Sequence, residues 1–151
     1  MVDNKEKEPL VVDATDLMLG RLASLVAKRL LSGEFVTIVN AEKALISGSR
    51  RMIRAEMQIT LGLRNLGSKK KSPKHPRRPD GLVRRSVRGM LPLDKPKGKD
   101  AYARLRVCIG APKDVDATAA KTLEEAQRHE GTRVISVGDL ARSIGWHSLE
   151  M

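Results

Sequence analysis

Arg84, Arg85 and Arg88 fall at a spacing that, on a helix, gathers three guanidinium groups along one flank. A guanidinium is a planar fork of donors that meets two phosphate oxygens at once, so the pattern suits a polyanion rather than a reacting centre. The triplet lies inside a longer block. Arg64 to Arg106 holds fifteen Lys or Arg residues against Asp80, Asp94 and Asp100, a local charge of +12. The whole chain carries +11, so the remaining residues sum to −1 and the entire excess sits in one stretch. Ahead of the triplet, Lys69, Lys70, Lys71, Lys74, His75, Arg77 and Arg78 form a basic arm; behind it, Lys95, Lys97 and Lys99 form a second basic loop. A merely soluble domain interleaves its charges, whereas a one-sign block set against apolar helix positions is the electrostatic footprint of a polyanion partner.

Arg50, Arg51 and Arg54 make a further cluster, in the first turns of the helix expected from Met52, Ile53, Met57, Thr60 and Leu61. The macrodipole already places partial positive charge at that end, so three arginines there cost stability unless an external anion offsets them.

Other chemistries have little to stand on. The turn Ala14 to Arg21 contains one glycine, Gly20, where dinucleotide binding needs three, and no GKS or GKT tripeptide exists for a P-loop. His75, His129 and His147 lack metal-ligand spacing, GxSxG is absent, and Glu124-Glu125 reads as a solvated face. No enzyme activity, cofactor or metal is expected. Cys108, the only cysteine, excludes an internal disulfide and suits a reducing compartment as a small hydrophobe. The polar start MVDNKEKEP precedes too few apolar residues for a signal peptide or a membrane span, so a soluble, intracellular protein is expected.

The elements that must carry these cations follow from periodicity. Leu10 to Val12 reads as a strand, Leu22, Ala23, Val26, Ala27 and Leu30 share one helix face before Gly33, and Phe35 to Val39 reads as a strand buried on both faces. Strand, helix and strand within about thirty residues make a βαβ unit. Leu66 to Pro79 has three prolines and no apolar periodicity, so an extended arm that orders on a partner is expected. From Asp80, Val83, Val87, Met90 and Leu91 form an apolar stripe, with the arginine triplet on the neighbouring face and Pro92 as the stop. Asp100 to Leu105 suggests a helical turn, Val107 to Ile109 a third strand, Ala117 to His129 a helix or a loosely helical excursion, and Val134 to Val137 a fourth strand before a last helix through Ile144. The sum is one domain over residues 1–151, three-layer α/β/α with a mostly parallel sheet of about four strands and a basic insertion at about 64–106.

The polyanion can be narrowed. A membrane-surface helix needs bulky apolar residues facing lipid, but the stripe of residues 83–91 is required by the core. No reading helix with Asn, Gln or Arg in a symmetric arrangement suggests DNA. Only Phe35, Tyr102 and Trp146 are aromatic, so base stacking is not the main device. Folded RNA, with closely packed phosphates that an arm can thread, fits best.

RRPDGLVRRSVRGMLP at Arg77 to Pro92 resembles the signature of the L-thirteen family of large-ribosomal-subunit proteins, in its archaeal or eukaryotic form. The likeness continues in VVDATDLMLGRLAS from Val11, VNAEKALISG from Val39 and KGKDAYARLRVCIG from Lys97, and covers most of the chain to Gly110. It implies a four-stranded parallel sheet in the order 3-2-1-4, no catalytic activity and a role in subunit assembly. Its implied partners are large-subunit ribosomal RNA and neighbouring large-subunit proteins. Arg84, Arg85 and Arg88 would then lie on the RNA-facing helix, flanked by Arg77, Arg78 and Lys95 to Lys99.

Overall fold

The computed structural model describes residues 9–115 and 119–148. Strand β1 (Leu10–Asp13) leads into helix α1 (Leu19–Leu31), then strand β2 (Val36–Val39). Helix α1 buries Leu22, Ala23, Val26, Ala27 and Leu30, the face that the spacing indicates. It ends in a Schellman arrangement: Gly33 turns at φ +92°, its N–H reaches the Leu30 carbonyl, and the Glu34 N–H reaches that of Arg29. β2 is buried along its whole length and lies between β1 and β4 (Leu105–Val107), parallel to both.

The parallel register aligns Leu10, Val36 and Leu105, then Val12, Ile38 and Val107, on one face of this sheet. That face packs into a core with Leu22, Val26 and Leu30 of α1, Val83 and Val87 of α3 (Pro79–Arg88), and Ala101 of α4 (Pro96–Ala103). Pro79 suits the first helical position, where no amide donor is needed, and Gly89 follows the last turn. The stretch from 64 to 106 therefore supplies core residues as well as charge.

The mixed α/β class and the parallel sheet match the sequence expectation, but the fourth strand goes elsewhere. β5 (Val134–Ser136) pairs antiparallel with β3 (Leu45–Ser47), a strand that the sequence did not suggest, in a separate two-stranded sheet. The outer edge of β1, where a fourth strand would pair in the order 3-2-1-4, is met by Lys121. Its N–H reaches the Val11 carbonyl at 2.9 Å, and its carbonyl accepts from Asp13 N–H at 3.2 Å. Ser136 then caps α5 (Val137–Ser143) by accepting from the Asp139 N–H, so β5 stops after three residues.

Three further expectations are corrected. In the span from Ala117 to His129, of which 117 and 118 lie outside the described residues, the described residues form no α-helix and only short 3-10 geometry, at Ala119 and at Glu124–Ala126. The backbone there is committed to distant partners, with Lys121 on β1 and the Ala126 carbonyl accepting from Met18, and tertiary bonding overrides local helix propensity. Lys95 to Lys99 is not a loop but the N-cap and first turn of α4. Met90 is exposed, because α3 ends at Arg88 and the chain turns before Leu91 re-enters the core.

Candidate nucleic-acid interface

The candidate surface is organised around α3. Leu82, Val83 and Val87 are buried while Arg84, Arg85 and Arg88 are exposed, so the helix has one wall against the core and one of guanidinium groups. Arg88 makes no hydrogen bond or ion pair among the described residues. Arg84 donates from Nε to the Tyr102 hydroxyl at 2.9 Å and lies against that ring, tying α3 to α4. Arg85 donates to the Lys74 carbonyl at 3.2 Å, tying α3 to the arm. Arm, α3 and α4 thus form one linked cationic region.

The arm is less extended than its composition suggests. Asn65 donates from its amide N–H to Ser72 Oγ and from its side chain to the Lys71 carbonyl, closing residues 65–72 into a small loop. Lys69–Lys71 form a 3-10 turn inside it, exposed, as is Lys74. His75 is half-buried, and its Nε2 is buried without a partner among the described residues. Arg77 donates to the Ile144 carbonyl at 2.7 Å, fastening the arm to the end of α5, and Arg78 pairs with Asp80 at 3.2 Å.

Lys95, Lys97 and Lys99 are exposed at the start of α4, which has no side-chain cap and no acidic residue in its first turn. Arg50, Arg51 and Arg54 are exposed at the start of α2 (Arg50–Gly62), which likewise lacks both, since Ser49 makes no capping bond. At both ends, side-chain cations and the positive pole of the helix point to the same requirement for an anion. No hydrogen bond or ion pair joins the three α2 arginines to α3 among the described residues.

Sequence reasoning passed over Arg21. It sits in the first turn of α1, again with no side-chain cap and no acidic neighbour in that turn, and its guanidinium meets His129 Nε2 at 2.7 Å. An arginine beside Gly20 at a helix start was the available signal. Two other cations of the basic block are turned inward or paired. Arg104 donates to the Leu30 carbonyl at 2.8 Å, and Arg106 pairs with Asp114 at 2.8 Å. The bond from Arg106 holds the exposed Asp114 carboxyl below its ordinary range and raises the guanidinium.

At the ends of β1 and β2, Asp13 Oδ1 accepts from the Thr15 N–H, Thr15 Oγ1 and Asn40 Nδ2. Partial burial pushes this carboxyl up, but those bonds and the nearby Lys43 outweigh it, so Asp13 titrates below the usual value. The cluster fixes the turn into α1; its acceptors are used internally. No group of three His, Cys, Asp or Glu side chains among the described residues could hold a metal, and no helix there is long and apolar enough to cross a membrane.

The fold defines a basic α/β protein, a core-anchored scaffold with its cations gathered on one helix, an arm and two uncapped helix starts. The family model described as Ribosomal protein L13 matches residues 7–114. The chain belongs to the ribosomal protein L13 family, which is not a class of enzymes, and its place is the ribosome, in the cytoplasm. It is of the archaeal type. It is 44% identical over 137 residues to the large ribosomal subunit protein uL13 of Methanococcoides burtonii, covering 89% of this chain and 96% of the relative. Proteins of the same name from Aeropyrum pernix and Methanosphaera stadtmanae are 42% and 40% identical, covering 93% and 89% of this chain and 92% and 96% of the relatives.

Proposed function

We propose that this chain is a structural constituent of the large ribosomal subunit that grips large-subunit ribosomal RNA by its phosphate backbone, without catalytic activity of its own. Residues 1–151 act as one domain in this reading. The arm, with Lys69, Lys70, Lys71, Lys74, His75, Arg77 and Arg78, threads between RNA segments. Arg84, Arg85 and Arg88 present a rigid row, and Lys95, Lys97, Lys99, Arg50, Arg51 and Arg54 set phosphates at two helix starts. By joining distant RNA segments, and by meeting neighbouring large-subunit proteins, the scaffold supports subunit assembly.

The observation that carries this reading is the division of α3: Val83 and Val87 fully buried, Arg84 and Arg88 exposed on the flank beside them, within the stretch that carries the net charge of the chain. The helix is anchored so that its arginines are held out rather than left mobile, which lowers the entropy lost on binding. Gradient sedimentation of a low-salt lysate is the test. The chain should travel with large subunits, and its absence from them would overturn the proposal.

A further inference from the structure

Helix α2 is the one α-helix among the described residues that buries none of its side chains. It presents three faces. Ile53, Met57, Thr60 and Leu61 are half-buried, with Met57 against the core. At about 100° per residue, Arg50, Arg51, Arg54 and Gln58 take a second flank. Met52, Ile59 and Leu63 line a third, about 140° round the helix from the arginines. These three are 72%, 69% and 57% exposed and form a stripe about 16 Å long.

An isolated helix of this length is marginal in water, and this one starts with uncapped amides and two arginines. Three exposed aliphatic side chains on one face of such an element, with Ala55 and Glu56 set between Met52 and Ile59, mark an interaction surface. What covers it is decided by charge. Glu56 lies beside the stripe, is exposed and makes no ion pair among the described residues. It is the only carboxylate from residue 44 to residue 79, against ten Lys or Arg in the same span. A carboxylate repels phosphate, and Met, Ile and Leu side chains neither stack on bases nor donate to them, so this face is not an RNA face.

A second copy fits poorly as well. Parallel pairing of two α2 helices sets Glu56 against Glu56 and Arg51 against Arg51, and antiparallel pairing about the middle of the stripe brings the two Glu56 carboxylates within a turn of each other. Two bodies of +11 also repel. We propose that the Met52, Glu56, Ile59 and Leu63 face of α2 docks another protein of the same particle, one that lays an aliphatic ridge along the stripe and sets a Lys or Arg against Glu56. This inference rests on the ribosomal reading above. It makes α2 a bridge, with arginines toward RNA on one flank and an apolar seam toward protein on another.

The test uses the full chain assembled in large subunits, with p-benzoylphenylalanine in place of Ile59 and, separately, in place of Gln58. Irradiation should join position 59 to another protein, at a peptide that contains Lys or Arg, and position 58 to RNA. Glu56→Lys should lower the protein adduct at position 59 roughly tenfold, by placing like charges together, and leave the RNA adduct at position 58 unchanged. An adduct of position 59 with RNA alone, or with a second copy, would overturn the inference. So would no adduct from particles that contain the chain. If the chain is absent from particles, it is the ribosomal reading that fails, and this inference falls with it.

Discussion

The Arg84 guanidinium of α3 donates to the Tyr102 hydroxyl of α4 at 2.9 Å, and its central carbon lies 4.8 Å from the centroid of the same ring. Arg84 therefore belongs both to the cationic row and to the joint between two helices, whereas Arg88, one turn on, has no such tie among the described residues. The two residues should separate in experiments that distinguish folding from binding.

Arg88→Ala is expected to leave thermal stability within about 0.5 kcal/mol of the parent. Arg84→Ala should cost about 0.5–1 kcal/mol through the lost cation–π contact. Both should weaken RNA binding. Val87→Asp, which buries a carboxylate in a fully apolar site, should cost far more and collapse the packing of α3. Thermal melts of the three variants, beside filter binding to ribosomal RNA, check this; equal losses of melting temperature would contradict the division of faces.

Gly98 and Gly20 should respond to alanine in opposite directions. A Cβ on Gly98 would stand 2.0 Å from the Pro92 carbonyl oxygen, a backbone atom, so α4 must move away from the turn after α3. Gly98→Ala should cost about 2–3 kcal/mol. A Cβ on Gly20 meets nothing within 4 Å, and the residue is helical, so Gly20→Ala should stabilise the free protein by about 0.5–1 kcal/mol. Urea titrations of both variants provide the measurement.

The Asp13 cluster predicts acid sensitivity with a definite sign. The folded carboxyl titrates below its unfolded value of about 3.9, so the native state binds fewer protons than the unfolded chain. Its contribution is therefore fully present above that value and is lost as pH falls through the lower, folded value. Asn40→Ala removes one of the bonds that hold the carboxyl down. The variant should lose stability at pH 6 and show a shallower decline between about pH 5 and 2, by urea unfolding.

Binding through phosphates should be strongly salt-dependent. If about six cations of the basic stretch meet phosphates, affinity for ribosomal RNA should fall by ~10³ between 50 and 200 mM salt. Replacing Arg84 and Arg88 together by alanine should reduce the slope of log affinity against log salt by about 2. A slope near zero in the parent would argue against backbone recognition.

Features with a local cause were legible in the sequence. Helix α1 follows from apolar spacing and Gly33, β2 from a run of β-branched residues, and the buried wall of α3 from Val83 and Val87 one turn apart. Features made by contacts between distant segments were not. Nothing local marks Leu45–Ser47 as a strand until β5 arrives beside it, and the alanine-rich stretch before His129 reads as helix until Lys121 and Ala126 commit their backbones to β1 and α1. The helix over Pro96–Ala103 was similarly hidden among lysines, because its close approach to Pro92 depends on the missing side chain of Gly98.

For the candidate interface, the sequence by itself determined that all the excess charge lies between Arg64 and Arg106, and that the arginines of α3 flank an apolar stripe; counting and helical periodicity suffice for both. Only the tertiary structure decided how those cations are engaged. Ile144, Lys74 and Leu30 carry the carbonyls that accept from Arg77, Arg85 and Arg104, and they lie 67, 11 and 74 residues away along the chain. A guanidinium bonds to whichever acceptor the fold brings within reach, and spacing along the chain does not encode that distance.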